Sequence, residues 1–187
     1  MKKKLTKVAA IFSGQTFRKK VQNDPDGTVW VIQMKDLNDE YTGLKDLPHA
    51  VQESEISKNQ ILKKGDILFL AKGRNNPAII YNYDQPAVAV SLFFVIRPND
   101  LVQPEYLSWY LNRAQSQGYF NSMKEGALVG NIKKSVLENL EIELPSTEVQ
   151  QNVANLYGLS QREEKISNEL VEIRKDYIDN LLNTCIQ

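Results

Sequence analysis

Read for its apolar positions alone, the chain falls into two unlike parts. Up to residue 144 apolar residues come in short runs between polar loops, whereas beyond Pro145 they recur at helical spacing with no further proline. In the first part Val8 to Phe12 is a brief apolar run closed by Ser13-Gly14. Over residues 28–37, Val29, Val31 and Gln33 alternate with Trp30, Ile32 and Met34, which predicts a central strand with two partly apolar faces. The polar stretch 36–60, which holds His49, predicts loops or short strands. Lys64-Gly65-Asp66 predicts a tight turn into a strand over 67–71, followed by a strand over 78–81 and one long strand over 87–96. Pro104-Glu105 opens a single helix over 105–120, with Tyr106, Leu107, Tyr110, Leu111 and Ala114 on one stripe. A glycine-marked loop over 121–131, a short helix capped by Ser135, and a last strand alternating Leu140, Ile142 and Leu144 with Glu141 and Glu143 complete this part.

The second part predicts one long amphipathic helix. Ser146 or Thr147 can cap it, and Glu148 places a carboxylate in its first turn. With Val149 as heptad position a, a is filled by Val149, Leu156, Glu163, Leu170, Tyr177 and Thr184, and d by Asn152, Leu159, Ile166, Ile173 and Asn180. The seam is strongest from Leu156 to Tyr177, so Leu159, Ile166, Leu170, Ile173 and Tyr177 are expected to meet a partner helix. Such a helix measures roughly 60 Å, longer than the body before it, whose radius of gyration should be about 14 to 15 Å. Gly158 is the position at which it could kink or break. The expected fold class is α+β: a strand-rich domain over residues 1–144, then a helical spacer and dimerisation region over 145–187.

Composition narrows the class. With 42% hydrophobic and 25% charged residues the chain suits one ordinary core plus an appendage. Val8 to Phe12 is too short for a signal peptide's apolar core, no run approaches a membrane span, and the lone Cys185 suits a reducing cytoplasm. Net charge is zero but unevenly placed: Lys2, Lys3, Lys4, Lys7, Arg18, Lys19 and Lys20 fall within the first twenty residues without any acid. A positive face on a neutral protein suits a nucleic-acid partner.

Catalytic chemistry is poorly supplied. His49 is the single histidine, and neither a nucleophile elbow nor a phosphate-cradling or dinucleotide-binding glycine loop occurs. One histidine and one cysteine make no ordinary zinc site, and no cofactor is expected. Asn76-Pro77-Ala78-Ile79 lacks the second proline and the aromatic of an amino-methyltransferase loop. Pro25-Asp26 with Gln33-Met34-Lys35 imitates a nuclease metal site but lacks a second acid; a small metal-dependent nuclease using Asp26 and Lys35 is the alternative it keeps open. A coiled-coil adaptor that never touches nucleic acid is another. More promising is the loop after the 67–71 strand, where Lys72, Arg74, Asn75 and Asn76 offer donors and amides suited to base edges, with Gly73 permitting close approach. Lys124, Asn131, Lys133 and Lys134 accompany a second glycine-bearing loop suited to phosphates, and Arg18, Lys19 and Lys20 are further candidates.

These pieces, in order, resemble the specificity subunits of type I restriction-modification systems. The resemblance is carried by residues 31–37 (Val-Ile-Gln-Met-Lys-Asp-Leu), Lys64-Gly65-Asp66-Ile67-Leu68 with Lys72-Gly73-Arg74-Asn75, Pro104-Glu105-Tyr106-Leu107, Gly126 through Ile132, Leu137-Glu138-Asn139-Leu140 with Leu144-Pro145, and Gln150 or Gln151. It implies a non-catalytic target recognition domain reading one half of a split site in double-stranded DNA. The following helix would space the halves and dock methyltransferase subunits, with a restriction subunit as a further partner. The usual subunit carries two such domains and two antiparallel helices; here one of each leads to the expectation of a homodimer through the C-terminal helix. Half-site centres would then lie on the order of 12 to 18 base pairs apart.

Overall fold

The computed structural model describes residues 1–73, 75–124 and 130–185. A four-stranded antiparallel sheet forms its middle. It is ordered β2 (Ala9–Ser13), β8 (Phe93–Pro98), β5 (Ile67–Leu70), β6 (Ala78–Ile80). The run Ile-Leu-Phe-Leu of β5 is buried at every position, and the alternation of a strand sends it two ways. Ile67 and Phe69 join a core with Ile96, Leu107, Leu111, Phe120 and Leu137 on the helical face, while Leu68 and Leu70 join Ile32, Ile79, Tyr81 and Val95 on the other. That second face is covered by a three-stranded sheet of β4 (His49–Val51), β3 (Val29–Ile32) and β7 (Ala87–Ala89), in which β3 is central as its pattern predicts. The helices α1 (Pro104–Asn112), α2 (Ala114–Ser122) and α3 (Lys134–Asn139) lie on the first face. Lys2–Lys4 forms β1 and pairs antiparallel with β9 (Glu141–Glu143).

Three local expectations are corrected. The stretch 87–96 is two strands in different sheets: a turn closed by Phe93 N–H donating to Val90 O (2.9 Å) carries the chain from β7 to β8. Gly14 is pressed against this turn, where a Cβ would lie 2.3 Å from Val90 O. The expected single helix over 105–120 divides at Arg113, whose backbone is extended (φ −62°, ψ 151°). The break is held from both sides. Ser116 Oγ donates to Tyr110 O and Gln117 Nε2 to Leu111 O (2.5 and 2.9 Å), taking up carbonyls left open at the end of α1. Asn112 behaves like a neighbouring strand toward β6, accepting from Ala78 N–H (3.0 Å) and donating to Ala78 O (2.8 Å). Ser135, expected as a cap, lies inside α3, which begins after Lys133.

The last element, α4, runs unbroken from Thr147 to Cys185, through Gly158. Ser146 Oγ accepts from Val149 N–H at its start (3.4 Å). At about 1.5 Å per residue its 39 residues extend roughly 58 Å.

Candidate nucleic-acid interface

The loop after β5 and the segment before α3 are far apart in sequence, and the structure joins them. Lys72 and Asn131 form an antiparallel bridge, with Ile132 N–H donating to Ala71 O (2.8 Å) and Gly73 N–H to Gly130 O (3.4 Å). Ile132 is fully buried and pins the segment. Gly73 occupies φ +143°, a backbone state reserved in practice for glycine, so the chain can turn away from the sheet just after Lys72. Lys72, Asn75, Asn131, Lys133 and Lys134 are exposed on this ridge. Lys134 is also paired with Glu138 (3.4 Å). Lys124 packs on Gly130, where a Cβ would lie 2.6 Å from Lys124 Cβ, and its ammonium donates to Asn121 Oδ1 (2.6 Å). Burial holds its pKa below the usual lysine value. Arg74 and Gly126 lie outside the described residues.

Asn76 must be withdrawn from the base-contacting set. It is fully buried, and its Nδ2 donates to Leu70 O (2.9 Å), so its amide closes the end of β5 instead of facing solvent. Gln117 completes that closure, donating to Asn76 O (2.9 Å) as well as to Leu111 O. This positioning residue carries no sequence signal, being one glutamine in a polar helix.

Arg18, Lys19 and Lys20 occupy a different part of the surface. Their neighbours Phe17 and Val21 pack with Val29, Val31 and Val51. The loop lines a cavity of about 800 Å³ together with Asp24 and Glu55. Asp24 is held below the usual carboxylate range by hydrogen bonds from the Gln52 side chain and the Asp26 backbone. Asp26 itself sits in that turn, its N–H on Asp24 Oδ1 (2.9 Å), while Lys35 Nζ lies 3.2 Å from His49 Nε2. Among the described residues no cluster of three metal-ligating side chains occurs, and no helix is long and apolar enough to cross a membrane.

At its base α4 is clamped to the domain by Gln150, only 2% exposed. Its Oε1 accepts from Gln103 N–H (3.0 Å), and its Nε2 donates to Leu101 O (3.3 Å) and Pro145 O (3.1 Å). Ala154 is buried beside it, and burial pushes the pKa of the Tyr157 phenol up, partly opposed by a hydrogen bond with Asn112. From Arg162 to Cys185 every residue is exposed. Leu159, Ile166, Leu170, Ile173 and Tyr177 are 47 to 65% exposed, an unpartnered seam.

Comparison with known proteins gives this geometry a context. The family model described as the type I restriction modification DNA specificity domain matches residues 1–172. The chain is 27% identical over 176 residues to the specificity subunit of the type I restriction enzyme MjaIX of Methanocaldococcus jannaschii, covering 91% of this chain and 40% of that protein. In fold it resembles the S subunit of a type I restriction-modification system from M. genitalium, with a TM-score of 0.60 at 14% identity, over 94% of this chain and 42% of that one. A second solved chain, from a study of complex assembly and conformational transition of the type I R-M system, gives 0.65 at 19% identity, over 87% and 38%. The HsdS subunit of Thermoanaerobacter tengcongensis gives 0.60 at 18% identity, over 87% and 37%. The chain thus spans about 40% of the length of these relatives.

Proposed function

The chain belongs to the type I restriction modification DNA specificity family, and from that premise we propose that it is a non-catalytic recognition unit that reads one half of a split site in double-stranded DNA. The observation that carries the reading is the joined ridge. The Lys72–Asn131 bridge brings exposed amides and ammonium groups from two loops onto one edge of the domain. Lysines there suit phosphate contact, which gives affinity without sequence information, while Asn75 and Asn131 suit bidentate pairing with adenine. Base reading by Arg74 belongs to the same proposal, as do phosphate contacts from Arg18, Lys19 and Lys20 on the separate loop.

Residues 1–144 act as the reader and 145–187 as the spacer. The exposed length of α4 offers methyltransferase subunits, and a restriction subunit beyond them, a rigid surface at a fixed distance from the ridge. Its seam supports pairing with a second copy, which would give the target two-fold symmetry. These roles place the protein in the cytoplasm with the DNA.

Two substitutions and one mapping experiment test the reading. Asn75→Ala lowers the ratio of specific to non-specific DNA binding by about ten-fold, whereas Lys133→Ala weakens both and reduces the salt slope by about one. Equal losses on all DNA for both variants would remove the base-reading role. Co-purification with a methyltransferase subunit of the same system, followed by mapping of methylated bases, should yield one split motif; methylation unchanged by the ridge substitutions would sink the proposal.

A further inference from the structure

The seam of α4 is open along its length, and the charges beside it select how a second copy can lie there. We propose that two copies pair through α4 in one antiparallel register, with Leu156 on Ile173 and Leu159 on Leu170 of the second copy, and the two-fold axis passing between Glu164 and Lys165. This rests on the homodimer reading above and fixes its geometry.

The domain leaves room for it. Gln150, Ala154, Tyr157 and Gln161 face the domain or line its crevices. They recur at helical spacing on the side of α4 roughly opposite the seam, and Arg162 and Glu169 edge a crevice with Asn38, Glu40 and Thr42 next to that side, while the seam itself stays exposed to a second helix.

An antiparallel pair matches a positions with d positions of its mate, and sliding by one heptad gives discrete alternatives. Sliding one way sets Leu156 on Ile166, but it brings Arg162 against Arg162 at the axis. Sliding the other way sets Ile166 on Leu170 and brings Glu169 against Glu169. In the register between them Arg162 faces Glu169 of the second copy, twice by symmetry. Like charges face to face are repulsive and opposite ones attractive, so the flanking positions favour this register while the seam keeps its best apolar pairs together. A parallel pair would press Glu163 against Glu163 in one layer of the seam, whereas the antiparallel register sets each Glu163 beside Ile166 of the second copy, in separate layers on either side of the axis. In the single chain Glu169 is only loosely engaged, its carboxylate 3.8 Å from Lys165 Nζ with both side chains well exposed, an ion pair of small worth. It is therefore available to Arg162 across the interface. The register sets the two Gln150 anchors 29 residues apart along the pair, about 44 Å.

The full-length Cys185→Ser protein, which keeps the fold since Cys185 is exposed, is the background for cysteine crosslinking. Leu159→Cys and Leu170→Cys proteins, each alone, should give no covalent dimer on oxidation, and their equimolar mixture should give one, because a disulfide needs its Cα atoms within about 7 Å. Charge exchange gives an independent readout: Arg162→Glu should weaken self-association about ten-fold, and Arg162→Glu with Glu169→Arg should restore it. Crosslinking of Leu170→Cys alone, of Leu156→Cys with Ile166→Cys, or of Ile166→Cys with Leu170→Cys would overturn the register while leaving the homodimer. A dimer that crosslinks in none of these mixtures would do the same. Light scattering showing the background protein as a monomer at micromolar concentration would overturn both.

Discussion

The most consequential single residues in the fold are polar ones that sequence patterning passes over. Asp66 is 1% exposed and receives two hydrogen bonds from Arg97, from Nε to Oδ1 (2.7 Å) and from Nη2 to Oδ2 (2.6 Å), besides the Lys63 N–H. The hydrogen bond to Asp66 raises the Arg97 pKa above its ordinary value. Removing the guanidinium leaves a buried carboxylate, so Arg97→Ala should cost about 3 kcal/mol in urea unfolding, whereas an exposed substitution such as Lys58→Ala should be nearly silent. Tyr81 makes a pH prediction. Burial, with lesser help from Tyr83 and Asp84, pushes its phenol up to about 12. A group whose folded pKa is raised keeps its stabilisation below the unfolded value, near 10, and loses it as pH climbs through the folded one. Stability should therefore fall between about pH 10 and 12, and less steeply in Tyr81→Phe. Asn76 shows why the sequence could not resolve these roles. Asn75 and Asn76 are the same residue type, one exposed and the other sealed by its hydrogen bonds with Leu70 and Gln117, partners distant from any local pattern.

At the level of elements, legibility followed how strongly burial and period coincide. β3 was readable because its Val-Trp-Val-Ile run is β-branched and aromatic throughout, and β5 because a short apolar run follows a Lys-Gly-Asp turn. The breaks at Ser91–Leu92 and at Arg113 were not, because apolar residues continue on both sides and the stops depend on distant partners: Gly14 against Val90, and Asn112 against Ala78. β1 was invisible for a different reason, since Lys2–Lys4 is a strand only by pairing with β9. Gly158 is the converse case, a helix-weakening residue that the helix absorbs. A Cβ there meets nothing within 4 Å, so Gly158→Ala should raise helix stability by about 0.5 to 1 kcal/mol. Thermal unfolding should show a higher midpoint, with self-association unchanged.

For the whole molecule, the helix matters as a length. Gln150 fixes one end to the domain, whereas the adjacent Gln151 is exposed. The ridge was legible only as two separate loops; their union through Lys72 and Asn131 is a long-range contact that no local pattern encodes. If the paired helices set the distance between two readers, lengthening both should move the half-sites apart in proportion. Seven residues of heptad-matched sequence inserted between Glu164 and Lys165 keep every a and d position in phase and add about 10.5 Å between the Gln150 anchors. At 3.4 Å per base pair the spacer of the target should grow by about three base pairs. A two-residue insertion instead rotates one half of the seam by roughly 200° against the other, and should weaken self-association without defining a new spacer. Methylation mapping of the seven-residue variant decides the matter: a spacer unchanged in length would mean that the distance between readers is set by something other than α4.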